Sequence, residues 1–148
     1  MIDNRLAPWA VLLLRVSLGT MFLAHGLMKV LIFTLPGTAQ FFVSVGFPAW
    51  TAYVVTAAEL GGGVLLILGI QARWVALALV PVLAGAASVH IGNGWVFSAP
   101  NGGWEYPVYL TVLALAQFLL GDGRLALVPS YGVGAARQER LHVAAARG

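Results

Sequence analysis

The 148-residue chain has no cysteine, and its eight basic and five acidic side chains leave only 9% of it charged. Disulfides, thiol relays, cysteine nucleophiles and thiolate metal sites are therefore excluded within this chain. Charge this sparse also excludes an ordinary soluble domain, in which about 25% of residues are charged. The basic residues form no stripe and no aromatic-interleaved run, so no nucleic-acid partner is expected. The apolar stretches do not alternate with period two, which argues against a β-barrel. Phosphate-loop, dinucleotide and Ser/His/Asp signatures are missing as well: Gly61 to Gly63 lie inside an apolar run rather than between a strand and a helix.

What the chain has in abundance is hydrophobic sequence, 60% of all residues, with a mean hydropathy of +0.90. A chain this apolar has too much surface to hide to remain a solvated coil. Four runs carry it. Pro8 to Val30 and Trp50 to Ile70 offer about 23 and 21 residues, enough to cross a hydrocarbon core of about 30 Å at 1.5 Å per residue. Trp74 to Ile91 offers about 18, and Tyr106 to Leu120 about 15, a length that needs Glu105 and Gly121 to extend it or the bilayer to thin. Pro8 and Pro107 stand where a first-turn proline is tolerated, and Gly121-Asp122-Gly123 is a natural stop. Between Pro36 and Pro48, the stretch Gly37 to Gly46 is too short to cross and too apolar for a free loop, and is expected to be an interfacial or re-entrant helix. Arg15 interrupts the first run and no small-x-small site ends it, so it is expected to be a retained helix rather than a cleaved signal. The expected fold is all-α, an integral membrane four-helix bundle over residues 1–127, followed by a mobile basic cytoplasmic tail over 128–148 that anionic lipid would attract.

Arg5, Arg73, Arg124, Arg137, Arg140 and Arg147 fall on one side of a four-span topology. Positive-inside then places both termini in the cytoplasm, with the loops Leu31 to Ala49 and Gly92 to Glu105 outside.

Ionisable residues inside spans are the informative ones, since burying a charge at the bilayer centre costs about 2.5 to 3.5 kcal/mol even on translocon scales. On this topology Arg15 lies about 10 Å above the cytoplasmic boundary and Glu59 about 13 Å below the outer one, while His25, Lys29, His90 and Glu105 gather near the outer edge. Arg15, His25 and Lys29 share one broad face of the first helix. Two readings follow. Arg15 and Glu59, about 6 Å apart in estimated depth, form a structural ion pair; or Glu59 is the floor of an outward-opening polar pocket approached by His25, Lys29 and His90. Both can hold together. His25 and Lys29 also read as an interfacial pair, His90 as a cap bonding loop backbone, and Gln117 as interhelical glue. The loop Gly92 to Tyr106 reads either as an aromatic belt or as a lid whose Trp95, Trp104 and Tyr106 stack on a flat ring. Gly19 and Gly26 on the first helix and Gly62 and Gly63 on the second would let backbones approach. A haem or metal held by His25 and His90 is disfavoured, because no carboxylate sits at ligand spacing. A solute channel is disfavoured too, since the polar positions form no continuous path.

In order along the chain, HGLMK (His25 to Lys29), AELGGGVLLILGIQAR (Ala58 to Arg73), VHIGNGW (Val89 to Trp95), GGWEYP (Gly102 to Pro107) and a closing LLGDGRLAL resemble the DoxX family of small four-helix bacterial membrane proteins. The resemblance covers roughly Leu6 to Leu127. It departs at the end, where Ala126 and Val128 replace a Ser and an Asp that members often carry. It implies His25, Lys29, Glu59, His90 and Glu105 as motif residues and a place in redox or stress-response complexes of the cytoplasmic membrane. The function expected from residues and resemblance together is a membrane subunit of a redox complex that binds a quinone-like ring or a small oxidisable partner and supports electron transfer to the quinone pool. Glu59 would carry protons, and Lys29 or His25 would bond a ring carbonyl. No covalent cofactor is implied; quinone is the expected ligand, and a soluble redox protein and a second copy of the chain are the expected partners besides lipid. The alternative is a non-catalytic scaffold that anchors a soluble redox or detoxification enzyme.

Overall fold

The computed structural model describes residues 3–131, so most of the expected tail lies outside the described residues. Five α-helices follow one another: α1 Ala7–Leu31, α2 Leu35–Ser44, α3 Ala49–Leu68, α4 Ala72–His90 and α5 Glu105–Leu120, with a short 3-10 turn Ile91–Asn93 after α4. No strand occurs among the described residues. Helices α1, α3 and α4 are long and apolar enough to cross a membrane. With its 16 residues, about 24 Å of helix, α5 is shorter than the hydrocarbon core; it packs on α4 and α1 and completes the bundle.

The helix boundaries have local causes. Pro8 opens α1, where an amide would go unpaired anyway. At α2 the Thr34 side chain accepts from the Gly37 amide at 3.3 Å, and Pro36 lies in the first turn. Gly69 ends α3 in the left-handed region (φ 70°), where a Cβ would also collide with the Arg15 guanidinium. Helix α4 starts differently, because Gln71 offers no side-chain cap. The cap arrives from the far end of α5: Asp122 Oδ1 accepts from the Arg73 amide at 3.1 Å, and Oδ2 accepts from the amide and hydroxyl of Ser130. Burial alone pushes the Asp122 carboxyl up, but the hydrogen bonds from Ser130, Arg73 and Ala72 outweigh it and leave the group below the usual carboxylate value. The chain after α5 also pairs with the α3–α4 turn, through Val128 N to Gly69 O and Gln71 N to Val128 O. Docked chain therefore runs to Ser130, past the expected start of the tail at 128.

Helices α1 and α3 form the closest pair. A Cβ added at Gly63 would lie 2.7 Å from the Leu23 amide nitrogen, and one at Gly19 would lie 2.8 Å from the Gly63 carbonyl oxygen, so the two backbones touch there. Gly26 packs on Leu60, while Gly62 faces Leu79 of α4 instead. Small residues replace the hydrophobic effect as the means of association where the surroundings are as apolar as the core. Consistent with that, the outer surface carries Leu13, Leu31, Val54, Val112 and Leu119, each more than half exposed. Such a surface would be costly in water and is matched to lipid. Trp9, Trp50 and Trp74 stand at helix starts, the positions of an aromatic belt.

Candidate functional site

The touching glycines set the register of the antiparallel pair. With Gly26 against Leu60 and Gly19 against Gly63 and Ile67, Glu59 stands level with the C-terminal part of α1, and Lys29 is one turn beyond. The Lys29 Nζ donates to both carboxylate oxygens of Glu59, at 2.8 and 2.7 Å. The pair is largely removed from solvent, with 18% of the Lys29 side chain and 7% of the Glu59 side chain exposed. The expected Arg15–Glu59 pair does not form. Arg15 is eleven residues below Gly26 on α1, about 16 Å along the axis, and its guanidinium lies instead against Gly69 and donates to the Arg124 carbonyl at 3.2 Å. It is buried, with its Nε and Nη1 unpartnered. Gln117 is not interhelical glue either: its amide donates to the Gly121 carbonyl of its own helix end at 2.6 Å.

Above the ion pair opens a cavity of about 410 Å³. Helix α1 contributes Met21, Phe22, His25 and Lys29 to it; α3 contributes Thr51, Val55 and Glu59; α4 contributes one face between Pro81 and His90, including Gly85 and Ala86; and Tyr106, Pro107 and Leu110 come from α5. A further wall comes from the connection that the sequence marks only as interfacial: Phe41, Phe42 and Val45, with Phe47 just after. The Thr38 hydroxyl lies 2.9 Å from the Thr34 carbonyl and 3.3 Å from that of Lys29, which ties α2 to the end of α1 and holds this wall in place. Sequence reasoning missed these phenylalanines. The available signal was the apolar FF pair in a segment too short to span, but nothing local says which way such a helix leans.

The histidines are fixed by carbonyls. His25 Nδ1 lies 2.9 Å from the Met21 carbonyl, and His90 Nδ1 lies 3.0 and 3.1 Å from those of Asn101 and Gly102. A carbonyl only accepts, so Nδ1 carries the proton in each ring and Nε2 of the neutral ring remains an acceptor. His25 also stacks on Tyr106, with ring centroids 6.2 Å apart and planes at 27°. His90 thus does both things expected of it, bonding loop backbone and lining the cavity. Glu105, Trp95 and Trp104 do not reach the cavity. The Glu105 carboxylate accepts from the Phe97 amide at 2.9 Å, stapling the loop to the start of α5, and the two indoles pack edge to face on each other at 4.5 Å. Among the three aromatics assigned to a lid, Tyr106 alone lines the cavity. No cluster of three or more metal-ligating residues occurs among the described residues.

The profile of one membrane-protein family, DoxX, matches residues 10–92, more than half of the chain. The chain belongs to the DoxX family. A relative in Bacillus subtilis (strain 168), described as "Putative oxidoreductase CatD", is 41% identical over 127 residues, covering 85% of this chain and 90% of its own length. No solved structure matches. The matched stretch runs from within the first turn of α1 to just past α4 and so holds the ion pair, His25, His90 and the α2 wall. Tyr106, Pro107 and Leu110 lie beyond it.

Proposed function

We propose that this DoxX protein is the membrane subunit of a redox complex and binds a quinone-like ring over the Lys29–Glu59 pair. The observation that carries the reading is a bidentate ion pair, held at 2.7 and 2.8 Å, at the base of a largely apolar cavity of about 410 Å³. Cavities lined by apolar groups hold a benzene ring in about 150 Å³, so the volume admits a ring with substituents. Reduction of a quinone puts negative charge on its oxygens and then protons on them. The Lys29 ammonium faces that charge at lowest reorganisation because Glu59 already fixes it. The Glu59 carboxylate and the His25 Nε2 are the groups able to pass protons, and Tyr106 and Phe42 offer faces for the ring. Electrons come from an oxidisable co-substrate or a partner oxidoreductase; the relative's description as an oxidoreductase supports that class of chemistry.

Arg5, Arg73 and Arg124 at one end of the bundle favour placing that end in the cytoplasm by the positive-inside rule, with the cavity on the opposite side of the bacterial inner membrane. The test is equilibrium binding of a methyl-substituted benzoquinone to the purified chain in detergent. Wild type binds it, and Glu59→Gln and Lys29→Ala weaken it about tenfold or more, the effect of one charge-assisted hydrogen bond, with helical circular dichroism retained. Equal binding by wild type and both variants refutes the proposal.

A further inference from the structure

The cavity is larger than a ring needs and is open on a side where water is not the neighbour. Of its 410 Å³, a ring takes about 150 Å³, leaving more than half of the volume over. The surplus is apolar. Part of the lining is apolar on both sides, with Phe41, Phe42 and Val45 on the α2 wall and Val82, Gly85 and Ala86 on the α4 wall. Helix α2 leans on α3 and α1 rather than on α4, so these two walls face each other across a gap.

Two lining residues show where that gap leads. Phe41 is 53% exposed while also lining the cavity. Pro81 is exposed and lines it too, and it is the tenth of the 19 residues of α4, midway along a membrane-crossing helix. A cavity that reaches the surface at mid-span opens into hydrocarbon. One turn along, Gly85 has no side chain and a Cβ added there would meet nothing within 4 Å, which thins the α4 wall at that level.

We infer that the ligand is a two-part amphiphile, a flat ring with polar edges joined to an apolar chain, that enters sideways from the bilayer between α2 and α4 and leaves its chain in that gap. This rests on the ring-binding reading above and adds the chain and the route to it. The ring travels to Lys29 and Glu59 at the inner end, and the chain need never meet water. Ordinary water-borne metabolites would be poor ligands by the same logic, because the gap offers them no polar partner.

The experiment compares two probes on the full chain in lipid nanodiscs: the methyl-substituted benzoquinone and the same ring bearing a decyl chain. Two gap-filling variants, Ala86→Phe on α4 and Val45→Trp on α2, approach the slot from opposite walls, so a folding failure in one leaves the other. Partitioning of the decyl probe into lipid is common to all proteins and cancels in each variant-to-wild-type ratio. The expected result is that gap filling weakens the decyl probe about tenfold or more beyond any effect on the bare ring, since an overpacked site tolerates little extra volume. Both probes responding alike to both variants overturns the inference while leaving ring binding intact. Neither probe binding to wild type overturns the ring reading beneath it and the inference with it.

Discussion

Removing one partner of the Lys29–Glu59 pair and removing both have opposite consequences, and the difference separates a structural pair from a functional one. In Lys29→Met a carboxylate whose side chain is 7% exposed loses its only ion-pair partner among the described residues. Breaking a buried pair this way costs about 3–5 kcal/mol. Here the lower end applies, about 3 kcal/mol, because Lys29 keeps 18% of its side chain exposed. Glu59→Leu strands the ammonium and costs a little less, since a lysine so near the end of α1 can snorkel outward. The double variant Lys29→Met/Glu59→Leu leaves no charge to strand, and such apolar replacements are commonly neutral or stabilising. The cycle is read by denaturant titration in mixed micelles. With the double variant within about 1 kcal/mol of wild type, the two single losses imply a coupling of about 5 kcal/mol. Binding of the ring probe is expected to be lost in that stable double variant. Additive single effects would refute the burial argument, and ring binding by the double variant would refute the role given to the pair.

Two further outcomes follow from the packing. Gly63→Ala puts a methyl 2.7 Å from the Leu23 amide nitrogen and is expected to lose about 1–3 kcal/mol in the same titration. Gly61→Ala, whose Cβ would meet nothing within 4 Å, should gain up to about 1 kcal/mol from helix propensity. Asp122→Asn is expected to lose about 1–2 kcal/mol at neutral pH by weakening the cap of α4 and the anchor of Ser130. Because hydrogen bonds hold the folded Asp122 carboxyl below its usual value, its contribution is full above the unfolded carboxylate range and fades as pH falls through the lower folded value. Wild type should therefore lose stability below about pH 4 more steeply than Asp122→Asn, and parallel acid curves would refute the cap.

Most of the architecture was legible because hydrophobic run length is a direct readout of bilayer thickness. The runs ending at Val30, Ile70, Ile91 and Leu120 became α1, α3, α4 and α5 within a residue or two, and the apolar stretch between Pro36 and Pro48 became α2. Depth was harder. Assigning Arg15 and Glu59 to nearly one level assumed that each run starts at its membrane boundary. The register of α1 on α3 is set instead by where glycines let the backbones touch, at Gly19 with Gly63 and at Gly26 with Leu60. That contact raises Glu59 to Lys29 and leaves Arg15 at the other end of the bundle with Asp122, an acidic residue that looked like part of a stop signal.

The same displacement explains what the site gained and lost. His25 and Lys29, placed on one helix face by periodicity, meet Glu59 and His90, placed by depth, at one cavity, whereas Arg15 on the same face lies too far along α1 to reach it. Residues placed by proximity in sequence, Trp95, Trp104 and Glu105, do not, because a loop's path is set by its own hydrogen bonds. The Asn93 amide donates to Asn101 and Gly102, and Glu105 is spent on Phe97. The phenylalanines of α2 occupy the place intended for the indoles, since a ten-residue helix pinned by Thr38 to Lys29 must lean over the site that Lys29 serves. The Thr38 hydroxyl thus ties the aromatic wall to the main chain of the residue that carries the ammonium, while packing on α3 holds the rest of α2.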